Sequence, residues 1–251
     1  MSHPRGYRTD AIVLRTVDFA ETSQVVHLAT PDHGLVAAIA KGGHGPKAPF
    51  EGGLTLGVLG EADLSPRRGA ELELLRSFRV TDALRGLRDD LDRFAAGSYV
   101  LELLRVLERP GLAAPALFSA GVATLKALAA APPAAAPMWV LVFEGRALAA
   151  SGHRPHLASC VACGGAFEGG TLFSPAAGGA VHPRCAPAGP TKRLDAAGLA
   201  ALRRLYSARL PELAAEPLAD RDLAALRAVH DLFVPWVLER EPHGLRGLPR
   251  A

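Results

Sequence analysis

Cys160-Val161-Ala162-Cys163 and, 18 residues further on, His182-Pro183-Arg184-Cys185 are two pairs of metal-ligating side chains. Within each pair the donors stand three positions apart, so one tight turn can present both. The long intervening loop lets the pairs meet. Zinc accepts three thiolates and one imidazole tetrahedrally, and four protein ligands leave no position for water, so such a site is structural rather than catalytic. Gly164-Gly165 and Gly178-Gly179 give the backbone the freedom these turns require. A redox Cys-x-x-Cys would close a strand and open a helix. This one lies in a glycine-rich loop with a matched second pair. We therefore expect one structural zinc on Cys160, Cys163, His182 and Cys185, in preference to unrelated buried cysteines. Three cysteines in the whole chain do not make a disulfide framework.

A second chemistry is basic. No acid stands between Asp32 and Glu51, whereas Lys41, His44 and Lys47 do. Arg67 and Arg68 occupy a Pro-Arg-Arg-Gly turn, and Arg8 and Arg15 lie near the start. These six cations, Lys41, Lys47, Arg67, Arg68, Arg8 and Arg15, are the candidate contacts to a nucleic acid backbone. Stacking partners are few in this region: Tyr7, Phe19, Phe50 and Phe78. The segment from Lys41 to Ala48 lacks the Gly-Lys-Ser/Thr ending of a phosphate loop. His153 and His156 precede the first cysteine pair and read as solvated loop residues, and His230 as a satisfied core histidine. No nucleophile elbow and no His-Glu-x-x-His is found, so the chain is not expected to be an enzyme.

The elements that must position these groups change character along the chain. Strand-like runs cover residues 7–17, 22–30, 35–41, 54–65 and 71–80, with Leu72, Leu74 and Phe78 alternating in the last. Pro31-Asp32-His33-Gly34 is turn chemistry and makes a hairpin of the second and third. Five short strands without a helical period predict a small closed barrel, which leaves no open edge. Beyond residue 80 the period becomes helical. Helices are expected over 84–107 with a cap at Thr81-Asp82, over 117–131 and over 138–150. Two more are expected from a cap at Asp195 to about 208 and from 220 to 239. The fold class is therefore α+β, with a barrel in 1–80 and helices in 81–151. A zinc-finger-like module in 152–193 and the remaining helices and tail in 194–251 complete it.

Composition sets the outer bounds. The 251 residues are 49% hydrophobic and 21% charged, which excludes a disordered or fibrous chain. The longest uncharged run, 127–143, is interrupted by Pro132, Pro133 and Pro137, so no bilayer span is expected. The first residues lack the apolar stretch of a signal peptide, which points to the cytoplasm. The net charge is +3. It all arises after residue 151, where 12 Lys and Arg face 9 Asp and Glu, including Lys192-Arg193 and Arg203-Arg204. Any polyanion site must be a local patch.

The order of these parts resembles the bacterial RecO family of recombination mediators. The resemblance is carried by Tyr7-Arg8-Thr9, Ile12 to Thr16, Glu21-Thr22-Ser23, Leu28 to Pro31, His33-Gly34 and Ala40-Lys41-Gly42. In the second half Gly152, Pro155, Leu157, Cys160 to Gly164, Phe173-Ser174, Gly178-Gly179 and Cys185 carry it. His182 departs from the fourth cysteine usual in zinc-bearing members. The resemblance implies an N-terminal five-stranded OB-type β-barrel followed by an α-helical domain carrying the zinc module. It implies binding of single- and double-stranded DNA and annealing of complementary strands. It further implies work with RecR in loading RecA onto strands coated by single-strand-binding protein (SSB), whose acidic C-terminal tail is a further contact. On the residues alone, two other readings stand beside it. One is a passive OB-type module that binds single-stranded nucleic acid, and the other is an adaptor that binds only protein.

Overall fold

The computed structural model describes residues 6–19, 21–42, 50, 51, 53–67 and 69–248. The chain divides into two compact units, Met1–Ala130 and Ala131–Ala251.

The first unit opens with β1 (Tyr7–Phe19), β2 (Ser23–Thr30) and β3 (Gly34–Ala40). It continues with the two-residue β4 (Phe50–Glu51), β5 (Leu59–Ser65) and β6 (Glu73–Asp82). Antiparallel pairing runs β3-β2-β1-β5-β6, and a parallel pairing of Ala38–Ala40 with Glu73–Leu75 joins β3 back to β6. That closes a five-stranded barrel with OB-type strand order, and β4 adds a short parallel rung beside Phe78. The inward positions alternate along the strands: Val26 and Leu28, then Val36, Ala38 and Ala40, then Ala62 and Leu64. Leu75 and Phe78 complete this core, each such burial contributing about 1.5–3 kcal/mol. A bulge between Val13 and Arg15 shifts the register, and beyond it β1 and β2 continue together as an arm to Phe19 and Ser23, with β3 paired to β2 as far as Gln24.

The Pro31–Gly34 turn is held by the connection between α1 (Leu91–Leu107) and α2 (Pro115–Ala130). Gly111 N–H donates to His33 O, Ala114 N–H to Pro31 O and Leu35 N–H to Arg109 O. Gly34 has φ +61°, and a β-carbon there would lie 2.2 Å from the Arg109 carbonyl oxygen. Only glycine fits both demands. The first helix begins later than the sequence suggests. Thr81 and Asp82 end β6, and Asp82 Oδ1 accepts from the Leu84 amide. A single 3₁₀ turn, Arg85–Arg88, follows, and Asp90 caps α1 by accepting from the amides of Asp92 and Arg93. Packing decides this. Gly86 lies against the Ala129 backbone and Leu87 is buried, so the chain is fixed to α2 before it can enter the long helix.

The second unit contains α3 (Ala136–Ala150), α4 (Ala196–Ser207), α5 (Leu210–Ala215) and α6 (Asp220–Leu238). Asp195 caps α4 through the Gly198 amide, as expected. Between α3 and α4 lies a small antiparallel sheet, β8-β7-β9, of Thr171–Ser174 (β7), Gly179–Val181 (β8) and Lys192–Leu194 (β9). These three strands and α5 are not among the elements expected from the sequence. Glu144 of α3 and His230 of α6 are both fully buried and joined at 2.8 Å, Nδ1 to Oε2. Arg227 Nη2 donates to Glu144 Oε1 at 3.0 Å, and Tyr206 OH stands 3.4 Å from His230 Nε2. His230 is thus a core histidine with partners on both nitrogens. Among the described residues no helix is long and apolar enough to cross a membrane.

Candidate metal centre and basic surfaces

The two cysteine pairs meet. The ligand atoms of Cys160, Cys163, His182 and Cys185 lie within 4.8 Å of one another. The first turn is built by two backbone bonds, Cys160 N–H to Gly165 O and Gly164 N–H to Cys160 O, and is tied to β8 by Val161 N–H to Ala180 O. Directly before it, His156 runs beside β8 so closely that a β-carbon on Gly179 would meet the His156 carbonyl oxygen at 2.1 Å. The second turn follows β8, where Pro183–Cys185 form a 3₁₀ turn closed by Cys185 N–H to His182 O.

The side chains are arranged for a cation. His182 Nε2 stands 2.9 Å from the Ala166 carbonyl, so that nitrogen carries the proton. Nδ1 is left with its lone pair, 3.4 Å from Cys163 Sγ. Fixing the tautomer through the outer nitrogen is how ligating histidines are usually oriented. Burial pushes the Cys160 thiol up, but the amides of His182, Cys163 and Ala162 outweigh it and bring it down to about 6. Cys185 moves the other way, raised by burial and by the crowding of the other two sulfurs. The cation that suits three crowded sulfurs and one imidazole is a tetrahedral one. Arms of about 2.1–2.3 Å would give edges of about 3.6 Å, close to the 3.4 Å between Cys163 Sγ and His182 Nδ1 and inside the 4.8 Å that spans the whole set. His156 points elsewhere, its Nε2 3.0 Å from Ser159 Oγ.

The basic residues are more dispersed. Lys41 is exposed in the turn after β3. Ala40 and Leu64 both pair with Leu75, so β3 and β5 flank β6 and run in opposite directions along it, Lys41 following the one and the exposed Arg67 the other. Arg8 is exposed and stands 3.6 Å from Asp63 on β5. Arg15 lies beyond the bulge, across from His27. Lys47, His44 and Arg68 lie outside the described residues. In the second unit Arg203 donates to the carbonyls of Leu157 and Ala158, and Arg204 to that of Glu216. Both arginines fasten the chain around α4. With Arg154, which donates to Tyr206 O, Arg203 also borders a cavity of about 670 Å³.

The sequence that forms this barrel and this helical unit with its Cys₃His cluster is matched along most of its length by known families. Residues 1–84 match recombination protein O, N-terminal, and residues 88–246 match recombination protein O, C-terminal. The chain belongs to the RecO family. It is 41% identical to the DNA repair protein RecO of Anaeromyxobacter dehalogenans strain 2CP-C over 210 residues, 83% of this chain and 82% of the relative. The protein of the same name from Myxococcus xanthus is 35% identical over 237 residues, 93% of each chain. That of Rhodopirellula baltica is 36% identical over 209 residues, 81% and 75% of the two.

Within this RecO chain, Arg105 of α1 joins a cationic group that sequence reasoning missed. Burial lowers the His27 pKa, and the charges of Arg15 and Arg105 lower it further. The influence of a helix residue on a strand some 80 positions away leaves no spacing signature, so only the packing of α1 on β1 reveals it.

Proposed function

We propose that this protein is a recombination mediator of DNA repair. It binds single- and double-stranded DNA, anneals complementary strands and, with RecR, helps RecA load onto strands coated by SSB, engaging the acidic C-terminal tail of SSB. The observation that carries this reading is the closed OB-type barrel, with Lys41 and Arg67 exposed after the strands that flank β6, in a chain of the RecO family. Its chemistry is phosphate neutralisation: lysine and arginine displace condensed counterions, so affinity falls with salt and depends little on sequence. We assign the cluster of Cys160, Cys163, His182 and Cys185 one structural zinc, because thiolates with a single imidazole suit that ion and leave no open coordination position. Nothing in this mechanism makes or breaks a covalent bond. A protein that does this works at the chromosome, in the bacterial cytoplasm.

The test is RecA assembly on an SSB-coated single strand, followed with and without this protein and RecR. Faster assembly that requires both supports the mediator reading. Unchanged assembly together with tight strand binding would leave a passive OB-type binder instead.

A further inference from the structure

We infer that one face of the β1–β2 arm is a single-strand-selective subsite, in which Phe19 stacks an unpaired base while Arg15 and Arg105 hold the flanking phosphates. The inference rests on the nucleic acid reading above and specifies which surface tells single strands from duplex.

The register past the bulge places Arg15 opposite His27, Val17 opposite Val25 and Phe19 opposite Ser23. Side chains alternate along a strand, so Arg15, Val17 and Phe19 share one face with Ser23, Val25 and His27. Asp18 lies on the other face, where it accepts from Gln24 Nε2. β3 pairs with β2 along this stretch, from His27 with Ala37 to Gln24 with Ala40, whereas among the described residues the outer edge of β1 has no strand partner beyond Ile12, where its pairing with β5 ends. Phe19 is 54% exposed and Val17 41% exposed, though both are large and apolar. α1 packs against β1, and the charges of its Arg105 and of Arg15 both act on His27 at the inner end of the same face. Among the described residues neither arginine is ion-paired to a carboxylate.

Two cations without a carboxylate partner, on the same side of the sheet as an exposed aromatic ring, complement a polyanion that carries flat apolar faces. A single strand is that polyanion, because its bases are free to leave their own stack and lie on the ring. In a duplex the bases are already stacked and paired, and only the phosphates remain for the arginines. The two kinds of residue therefore contribute differently. Phe19 adds affinity that is nearly independent of salt and confined to single strands. Arg15 and Arg105 add salt-dependent affinity for both.

The experiment is fluorescence anisotropy with a labelled single-stranded oligonucleotide and its duplex, over a salt series, using the full chain. Phe19→Ala should weaken single-strand binding about 5- to 100-fold, leave duplex binding unchanged and keep the salt slope. Phe19→Trp should restore the single-strand affinity. Arg15→Gln with Arg105→Gln should flatten the single-strand slope by about 0.7 for each phosphate that is no longer neutralised. Equal weakening on both substrates in Phe19→Ala would overturn the selectivity, and unchanged binding of both would overturn the subsite. If the unaltered chain bound neither substrate at low salt, the nucleic acid reading itself would fail.

Discussion

Glu108 is a carboxylic acid that the fold holds almost out of water. It ends α1, is 2% exposed, and both its carboxyl oxygens are buried without a hydrogen-bond partner that meets normal geometry. Burial raises its pKa from 4.5 to about 8, opposed only weakly by the nearby Thr30 amide. The folded state therefore keeps a proton that the unfolded chain releases, and between pH 4.5 and pH 8 the folded state loses stability as pH rises. Each tenfold difference in proton affinity is worth about 1.4 kcal/mol, so this interval corresponds to about 5 kcal/mol at most. Entry of water around the ionised carboxylate leaves roughly 2–5 kcal/mol, on the order of 10 °C in Tm for a unit of this size. Glu108→Gln removes the titration and keeps the shape. Thermal melts of both proteins from about pH 5 to about pH 9 should show the variant near or slightly below the parent at the acid end, then increasingly above it. The difference between the two curves cancels every other titrating group. A difference that stays constant across that range would refute the claim that burial holds the proton on Glu108.

Three further perturbations follow from the packing. Cys160→Ser should release the metal and expose the 152–193 segment to protease, because ligand binding is part of the folding free energy in such modules; elemental analysis that still found one zinc per chain would contradict the assignment. Glu144→Ala should cost about 3–5 kcal/mol in urea unfolding, since it removes the buried carboxylate that His230 Nδ1 and Arg227 Nη2 share, and a cost below about 1 kcal/mol would show that water and the remaining partners, Tyr206 and Asp231, relieve them. Gly34→Ala should destabilise the first unit by about 2 kcal/mol or more, through both its positive φ and the clash with the Arg109 carbonyl; an unchanged denaturation midpoint would mean that the α1–α2 connection yields easily.

What the sequence disclosed was local. The Pro31–Gly34 turn and the Asp195 cap depend on neighbours a few positions away, and both are present in the structure, whereas the alternation at Leu72, Leu74 and Phe78 is not: Leu72 precedes β6, and Leu75 rather than Leu74 joins Phe78 in the core. The Cys₃His cluster was legible because two tight turns carry their own spacing. Asp82 misled because aspartate caps a helix and ends a strand with equal ease. The choice fell to Gly86 against Ala129, a contact between distant segments. Strands β7, β8 and β9 are three or four residues long, too short to show a period. The cationic group at Arg15, His27 and Arg105, and the capture of Arg203 by backbone carbonyls, are tertiary facts that residue type alone does not reveal.

The central claim is that this barrel-bearing chain neutralises DNA backbones and so brings complementary strands together. The most direct test is annealing of complementary strands pre-coated with SSB, across a salt series, with and without the protein. The account predicts acceleration that declines steeply as salt rises. Annealing that is no faster at any salt concentration, with no strand binding at low salt, would contradict it.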